Sequence, residues 1–428
     1  MENQPASNSI SRRSIFGRGA AAATAFQIIK PELVRGQGKE KLRAGLVGFG
    51  GRGRQAIVDH LRGTENTEVV AAADIFEDKL EGNLRWLREE DRNKDIRDRV
   101  KIDPDKRFVG FDAFQKLLKT DIDVVFLATP PGYRPEHFEA AVNAKKHVFC
   151  EKPFGTDPAG VRRFMAAAKK SEELKLTVVS GAQRRFDRRY METYDRIKSG
   201  QIGDITAGYA YWVGNPVIQQ KARDPKWADM TWQHRAWYSF VWICGDQVVE
   251  QHLHNIDVMN WFIGAHPTKV VATGGRCWRP SDEIYGNIYD HVSADLEYPG
   301  GIRVSSYCRQ FPAGNHIYRK VGELLAGTKG RSNCFDLAGP GPEPKPYVAE
   351  HTALARSIRG DGPYINHAMA VAESTLTCIM ARESAYSGQE ITWEQAMNSR
   401  LDLQPKKFGY EEKMEVPPLP QPGVYTFA

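Results

Sequence analysis

Two kinds of apolar pattern divide the chain. Up to about residue 150, short continuous apolar runs recur at Ala44 to Val47, Val69 to Ala73, Asp123 to Thr129 and His147 to Cys150. Runs without polar alternation are what strands buried on both faces produce. Helical spacing fills the gaps between them: a segment ending at Leu61, the set Leu80, Leu84 and Leu87, then Phe111 to Leu118 and Pro135 to Ala144. Strand and helix alternating in this way predict a right-handed, doubly wound parallel sheet. Beyond Gly155 the pattern changes. A helix is expected over Pro158 to Leu174 and a strand over Leu176 to Ser180. Strands follow at Ile205 to Val213, Lys269 to Thr273, His291 to Tyr298 and Gly301 to Arg309, several alternating apolar with polar. Alternation predicts an open, mainly antiparallel sheet with one face covered, and Tyr298-Pro299-Gly300-Gly301 reads as its hairpin turn. A long helix, Asn366 to Ser387, is expected to return across the structure. The expected organisation is a leader and linker over 1–38, an N-terminal domain over 39–154, a second α/β domain over 155–403 and a Pro-rich tail over 404–428.

The first apolar run breaks into Gly48-Phe49-Gly50-Gly51-Arg52-Gly53, and the second ends in Asp74. Strand, G-x-G-x-x-G, helix, strand and acid, with the acid about twenty residues past the glycines, form the Rossmann dinucleotide fingerprint. Gly48 permits the tight turn, Gly50 lets a pyrophosphate approach the backbone, and Gly53 lets helix and strand pack closely. A carboxylate at Asp74 accepts hydrogen bonds from a ribose 2′-hydroxyl and repels a 2′-phosphate, which favours NAD. Arg52 and Arg54 leave NADP open, since either could neutralise an added phosphate. Thr129 and Pro130 end the third apolar run at the sheet's carboxyl edge, where ligands of such sheets bind.

Composition narrows the classes further. The net charge is +6, and half of it lies in residues 1–38, where Arg12, Arg13, Arg18, Lys30 and Arg35 outweigh Glu2 and Glu32. The remainder is nearly balanced over a large body, so no nucleic-acid partner is expected. Ser11-Arg12-Arg13-Ser14-Ile15-Phe16 precedes a mildly apolar, alanine-rich run from Gly19 to Ile29. That run is too short to span a bilayer, so it reads as a signal for the twin-arginine export machinery, with a periplasmic or otherwise extracytoplasmic destination and no stable membrane insertion. The six cysteines are dispersed without a C-x-x-C, so no metal site is read and buried free thiols are expected.

The fourth apolar run delivers Glu151-Lys152-Pro153, and a later stretch, Gln247 to Trp261, carries Glu250, His254 and Asp257 at i, i+4 and i+7. With the glycine fingerprint, these motifs make the chain resemble the Gfo/Idh/MocA oxidoreductases from Lys41 to about Trp393. The resemblance implies Glu151 and Lys152 beside the nicotinamide, with Lys152 touching the reacting hydroxyl. It implies His254 as proton acceptor, with Glu250 standing where the family has an aspartate. A neutral histidine, with an ordinary pKa of about 6.5, serves as a base at neutral pH without adjustment, whereas a charged Lys152 suits polarising the oxygen. On a continuous helix His252 would point about 200° away from His254. Arg185, Trp232, His234, Arg235, Trp237 and Asp257 are substrate candidates, because aromatic faces stack on sugar rings and arginines bind hydroxyls; core packing explains the tryptophans about equally well.

The expected activity is oxidation of a secondary alcohol of a sugar, cyclitol or derivative. An exported enzyme meets little free NAD, so a tightly held cofactor is expected. Two alternatives stand beside this reading. One is an NAD-retaining glycoside hydrolase or lyase working by transient oxidation of a ring hydroxyl; the other is a non-catalytic sugar-binding protein. An open sheet face suggests a homodimer or homotetramer.

Overall fold

The computed structural model describes residues 41–217, 221–280, 282–314 and 316–428. The twin-arginine stretch lies outside the described residues. The first half of the chain runs β1 (Leu42–Val47), α1 (Gly51–Gly63), β2 (Thr67–Asp74), α2 (Glu77–Glu89), β3 (Arg107–Val109), α3 (Ala113–Leu118), β4 (Val124–Leu127), α4 (Arg134–Asn143), β5 (His147–Cys150), α5 (Pro158–Glu173) and β6 (Val178–Ser180). The strands form one parallel sheet in the order β3-β2-β1-β4-β5-β6. This is the doubly wound order in which the crevice lies where β1 and β4 diverge. The four residues of β4 and of β5 are buried throughout, as the unbroken apolar runs require. One expectation is corrected here: the strand ending at Ser180 pairs with β5 as the sixth strand of this sheet and does not open the second one.

The chain continues through α6 (Arg188–Lys198), β7 (Ile205–Gly214), α7 (Asp229–Arg235), α8 (Val241–Cys244), α9 (Gln247–Glu250), α10 (Leu253–Ile263), β8 (Lys269–Gly275), β9 (His291–Glu297), β10 (Arg303–Gln310), β11 (Lys320–Gly327), β12 (Gly330–Ser332), α11 (Pro346–Arg359), α12 (Ala368–Ser387), β13 (Ile391–Thr392) and α13 (Trp393–Asn398). Its sheet has the order β12-β11-β7-β10-β9-β8-β13, parallel only between β7 and β10. One face lies under α10 and α12; a Cβ at Gly208 would stand 3.0 Å from Met259 Sδ, so helix and strand touch there. The other face carries exposed Tyr209 and Tyr307.

Two helices join the halves. The α12 helix is buried along most of its length, and Arg382 on it donates to the main-chain oxygens of Thr156 and Gly245. The α11 helix returns to pack on α1, with Thr352 Oγ1 donating to Gly63 O at 2.7 Å. The tail after α13 folds back on its own chain: Gln404 Nε2 donates to Trp242 O at 3.1 Å and Thr231 Oγ1 to Tyr410 O at 2.7 Å. All six cysteines are free thiols; five are buried, but Cys277 is exposed, contrary to expectation, because it sits in the loop after β8.

Candidate active site

A cavity of about 520 Å³ opens at the carboxyl edge of the first sheet and extends beneath the second domain. Its floor is the turn between β1 and α1. Gly48 has φ +92°, and a Cβ there would lie 2.6 Å from Thr129 N. A Cβ at Gly53 would lie 2.1 Å from Gly48 O, so neither position admits another residue. Beside Gly50 and Gly51, by contrast, an added Cβ would meet nothing within 4 Å. The α1 helix begins at this opening without a side-chain cap and without an acid in its first turn. Its first N–H groups are therefore available to an anion, as a dinucleotide diphosphate requires.

At the end of β2 the Asp74 carboxylate accepts from Phe49 N at 2.7 Å and Phe76 N at 2.9 Å. Burial pushes its pKa up, and these two bonds work in the other direction. Phe49 itself turns its ring into the core, so only its backbone serves the loop. Arg54 donates to Asn83 Oδ1 at 3.0 Å and lies over the Trp86 ring. Arg52 pairs with Glu151 and, at 3.3 Å, with Glu350. Burial works against its charge, yet the two carboxylates outweigh it and hold the pKa above the ordinary value. With Asp74 lining the cavity and both arginines committed to protein partners, the residues fit NAD.

Deeper in, the chemistry-bearing groups converge. Lys152 Nζ donates to the main-chain oxygen of Glu250 and lies 3.2 Å from Glu250 Oε1; both side chains are nearly buried. Gln251 Nε2 donates to the other Glu250 oxygen at 2.5 Å. The single helix expected over Gln247 to Trp261 is in fact two, α9 and α10, broken at Gln251-His252. Glu250 ends one piece and His254 lies in the first turn of the other, and both still line the cavity with Lys152. The His254 ring stacks on Trp212 at 5.8 Å between centroids, and its Nδ1 has no protein partner. Burial, then the charges of Lys152, Arg184 and Arg52, drive its pKa well below 6.5, so the imidazole is neutral. His252 points elsewhere, to Ser306 Oγ at 2.7 Å.

The remaining candidates separate. His234 lines the cavity and bonds Tyr133 Oη, while its Nδ1 donates to Met230 O at 2.5 Å. Thr129, Pro130, Glu151 and Trp237 also line it. Four candidates turn away from the cavity instead. Arg185 and Asp257 form a two-pronged pair at 2.8 Å, with Ser374 Oγ donating to Asp257. Trp232 is core, its Nε1 donating to Lys221 O at 3.0 Å. Arg235 pairs with Asp78 at 2.9 and 3.0 Å across the Phe76 ring. Arg184, Trp212, Gln251 and Tyr347 line the cavity and were not anticipated. Trp212 was within reach, since it alternates onto the covered face of a strand already expected; Tyr347 arrives on α11 with no local signal.

The fold and site together define a dinucleotide-binding α/β protein whose second domain contributes Trp212, Glu250 and His254 to the cavity beside the glycine turn. Residues 42–179 match the oxidoreductase family GFO_IDH_MocA, NAD-binding Rossmann fold, and residues 190–332 match the GFO/IDH/MocA C-terminal domain. The chain belongs to the Gfo/Idh/MocA family. It is 29% identical over 228 residues to inositol 2-dehydrogenase of Salmonella typhimurium, covering 52% of this chain and 54% of that protein. It is 26% identical over 223 residues to an uncharacterized oxidoreductase of Bacillus subtilis, covering 52% and 58%. The chain thus matches little more than half the length of these relatives. The fold is similar to that of aldose-aldose oxidoreductase from Caulobacter crescentus, with a TM-score of 0.62 at 17% identity over 82% of this chain and 100% of that one.

Proposed function

We propose that this protein is an NAD-dependent oxidoreductase acting on a secondary alcohol of a sugar or cyclitol. The observation that carries the reading is that His254 and the Lys152–Glu250 pair line one cavity with an uncapped glycine turn. Bound NAD would supply the hydride acceptor, held by the Gly48 to Gly53 turn and Asp74. Lys152 would donate a hydrogen bond to the reacting oxygen and stabilise the charge that develops there. His254 would accept the hydroxyl proton, and Glu250 would hold the Lys152 ammonium in place. The inositol 2-dehydrogenase relative supports a polyhydroxylated ring as substrate.

Export and retention of the cofactor belong to the same proposal. The segment just after Asp74 is tied down from two sides, by Arg235 of the second domain pairing with Asp78 and by Tyr410 of the tail, whose hydroxyl donates to the main-chain oxygen of Ile75, a residue that lines the cavity. Such a strap favours slow cofactor exchange, which suits a chain with a twin-arginine leader. Exposed Tyr209 and Tyr307 on the open sheet face support a homo-oligomer. The test of function is to mix the protein and NAD with a panel of cyclitols, aldoses and aryl glycosides. Growth of absorbance at 340 nm is the expected result. Release of aglycone without it would favour the hydrolase, and binding without either would favour a sensor.

A further inference from the structure

Three cations that line the cavity pair with carboxylates, while a fourth, Arg134, donates to Pro153 O at 2.8 Å. Lys152 lies against Glu250 and Arg52 against Glu151. Arg184, in the loop after β6, reaches Glu323 on β11 through Nη1. Glu323 is fully buried and takes two further donors, Tyr190 Oη at 2.9 Å and Asn255 Nδ2 at 2.5 Å. Three donors on one carboxylate fix the Arg184 side chain from behind, leaving the rest of its guanidinium to the cavity. The stacked rings of Trp212 and His254 line the same cavity.

We infer that Arg184 and Glu323 are a specificity pair that selects an uncharged polyhydroxylated ring and rejects the corresponding uronate or sugar phosphate. This rests on the oxidoreductase reading above and deepens it. Arg184 offers hydrogen-bond donors to neighbouring hydroxyls, but its charge is already answered by Glu323, so a carboxylate or phosphate placed against it gains no unpaired charge. Such an anion must instead lose water beside the carboxylate of Glu250, which like-charge repulsion disfavours. Trp212 supplies an apolar face to the C–H side of the ring.

The experiment measures binding of myo-inositol, D-glucose, D-glucuronate and glucose 6-phosphate to the NAD-loaded protein by calorimetry, for the wild type, Glu323→Gln, Arg184→Gln and the double variant. The wild type is expected to bind a neutral probe at least about tenfold more tightly than its anionic counterpart, with affinity unchanged between low and high salt. Glu323→Gln is expected to uncover the Arg184 charge and move the ratio toward the anion by roughly tenfold, and the double variant to restore it. Should Glu323→Gln fail to fold, the wild-type ratio and its salt response decide alone. Preference for an anionic probe, or a ratio unmoved in a folded Glu323→Gln, overturns the inference while leaving the oxidoreductase reading standing. Binding of none of the probes overturns both.

Discussion

Removing Glu250 should cost both stability and turnover, and the two effects can be separated. Glu250 Oε1 lies 3.2 Å from Lys152 Nζ, with each side chain about 9% exposed. At an effective dielectric of about 20, charges at that separation attract by roughly 5 kcal/mol. Two features reduce the effect. The main-chain oxygen of Glu250 remains as an acceptor for Lys152, and the cavity admits water. About half should survive, so Glu250→Ala is expected to destabilise by about 2–3 kcal/mol, toward the low end for a broken buried pair. Lys152→Met should cost somewhat less, because Gln251 still donates to the stranded carboxylate. In the double variant neither charge is stranded, so its loss should fall short of the sum by about 2 kcal/mol or more. Urea unfolding of the four proteins measures this coupling, and turnover measured alongside should vanish in all three variants. A coupling below about 0.5 kcal/mol would instead show the pair to be a solvated contact with no hold on Lys152.

Three further outcomes are expected. His254→Gln should lower kcat by about 10² to 10⁴ with NAD binding intact, as loss of a general base does. Because the folded pKa of His254 is depressed, the unfolded chain binds the extra proton; stability should fall as pH drops below 6.5, and this variant should lose part of that slope in pH-dependent unfolding. Asp74→Asn should weaken NAD by about 1.5–3 kcal/mol, the worth of a hydrogen bond to a charged group, and narrow the NAD to NADP ratio in binding titrations. Arg235→Ala combined with Tyr410→Phe should speed NAD release by about tenfold, since a partly exposed ion pair and one hydrogen bond are each worth about 1 kcal/mol or less. Unchanged release in a filter-exchange assay would dismiss the strap.

Local signals made the first domain readable. The apolar runs of β1, β2, β4 and β5 are buried on both faces, and a glycine that must adopt φ +92° or pack on a backbone oxygen leaves a mark in the sequence. The second domain was readable where strands alternate, but β6 crossed to the first sheet because its pairing with β5 is a long-range choice. Arg184 and Arg185 show the limit for side chains. They are neighbours of one type, and only the buried positions of Glu323 and Asp257 decide which faces the cavity. The break between α9 and α10 was hidden for a similar reason. At the break His252 N reaches back five residues to Gln247 O, and the His252 ring is held by Ser306 Oγ on β10 at 2.7 Å, a contact distant in sequence.

We propose that Lys152 and His254 act on one hydroxyl beside bound NAD. A single-turnover measurement tests it directly: NAD-loaded wild type, Lys152→Ala and His254→Ala are each mixed rapidly with myo-inositol and then with aldoses, and absorbance at 340 nm is followed. The wild type should show a rise stoichiometric with sites on at least one neutral ring, and neither variant any rise, although both still bind NAD. An equal rise in the Lys152→Ala or His254→Ala protein, or no rise in the wild type with any ring tried, would contradict the proposal.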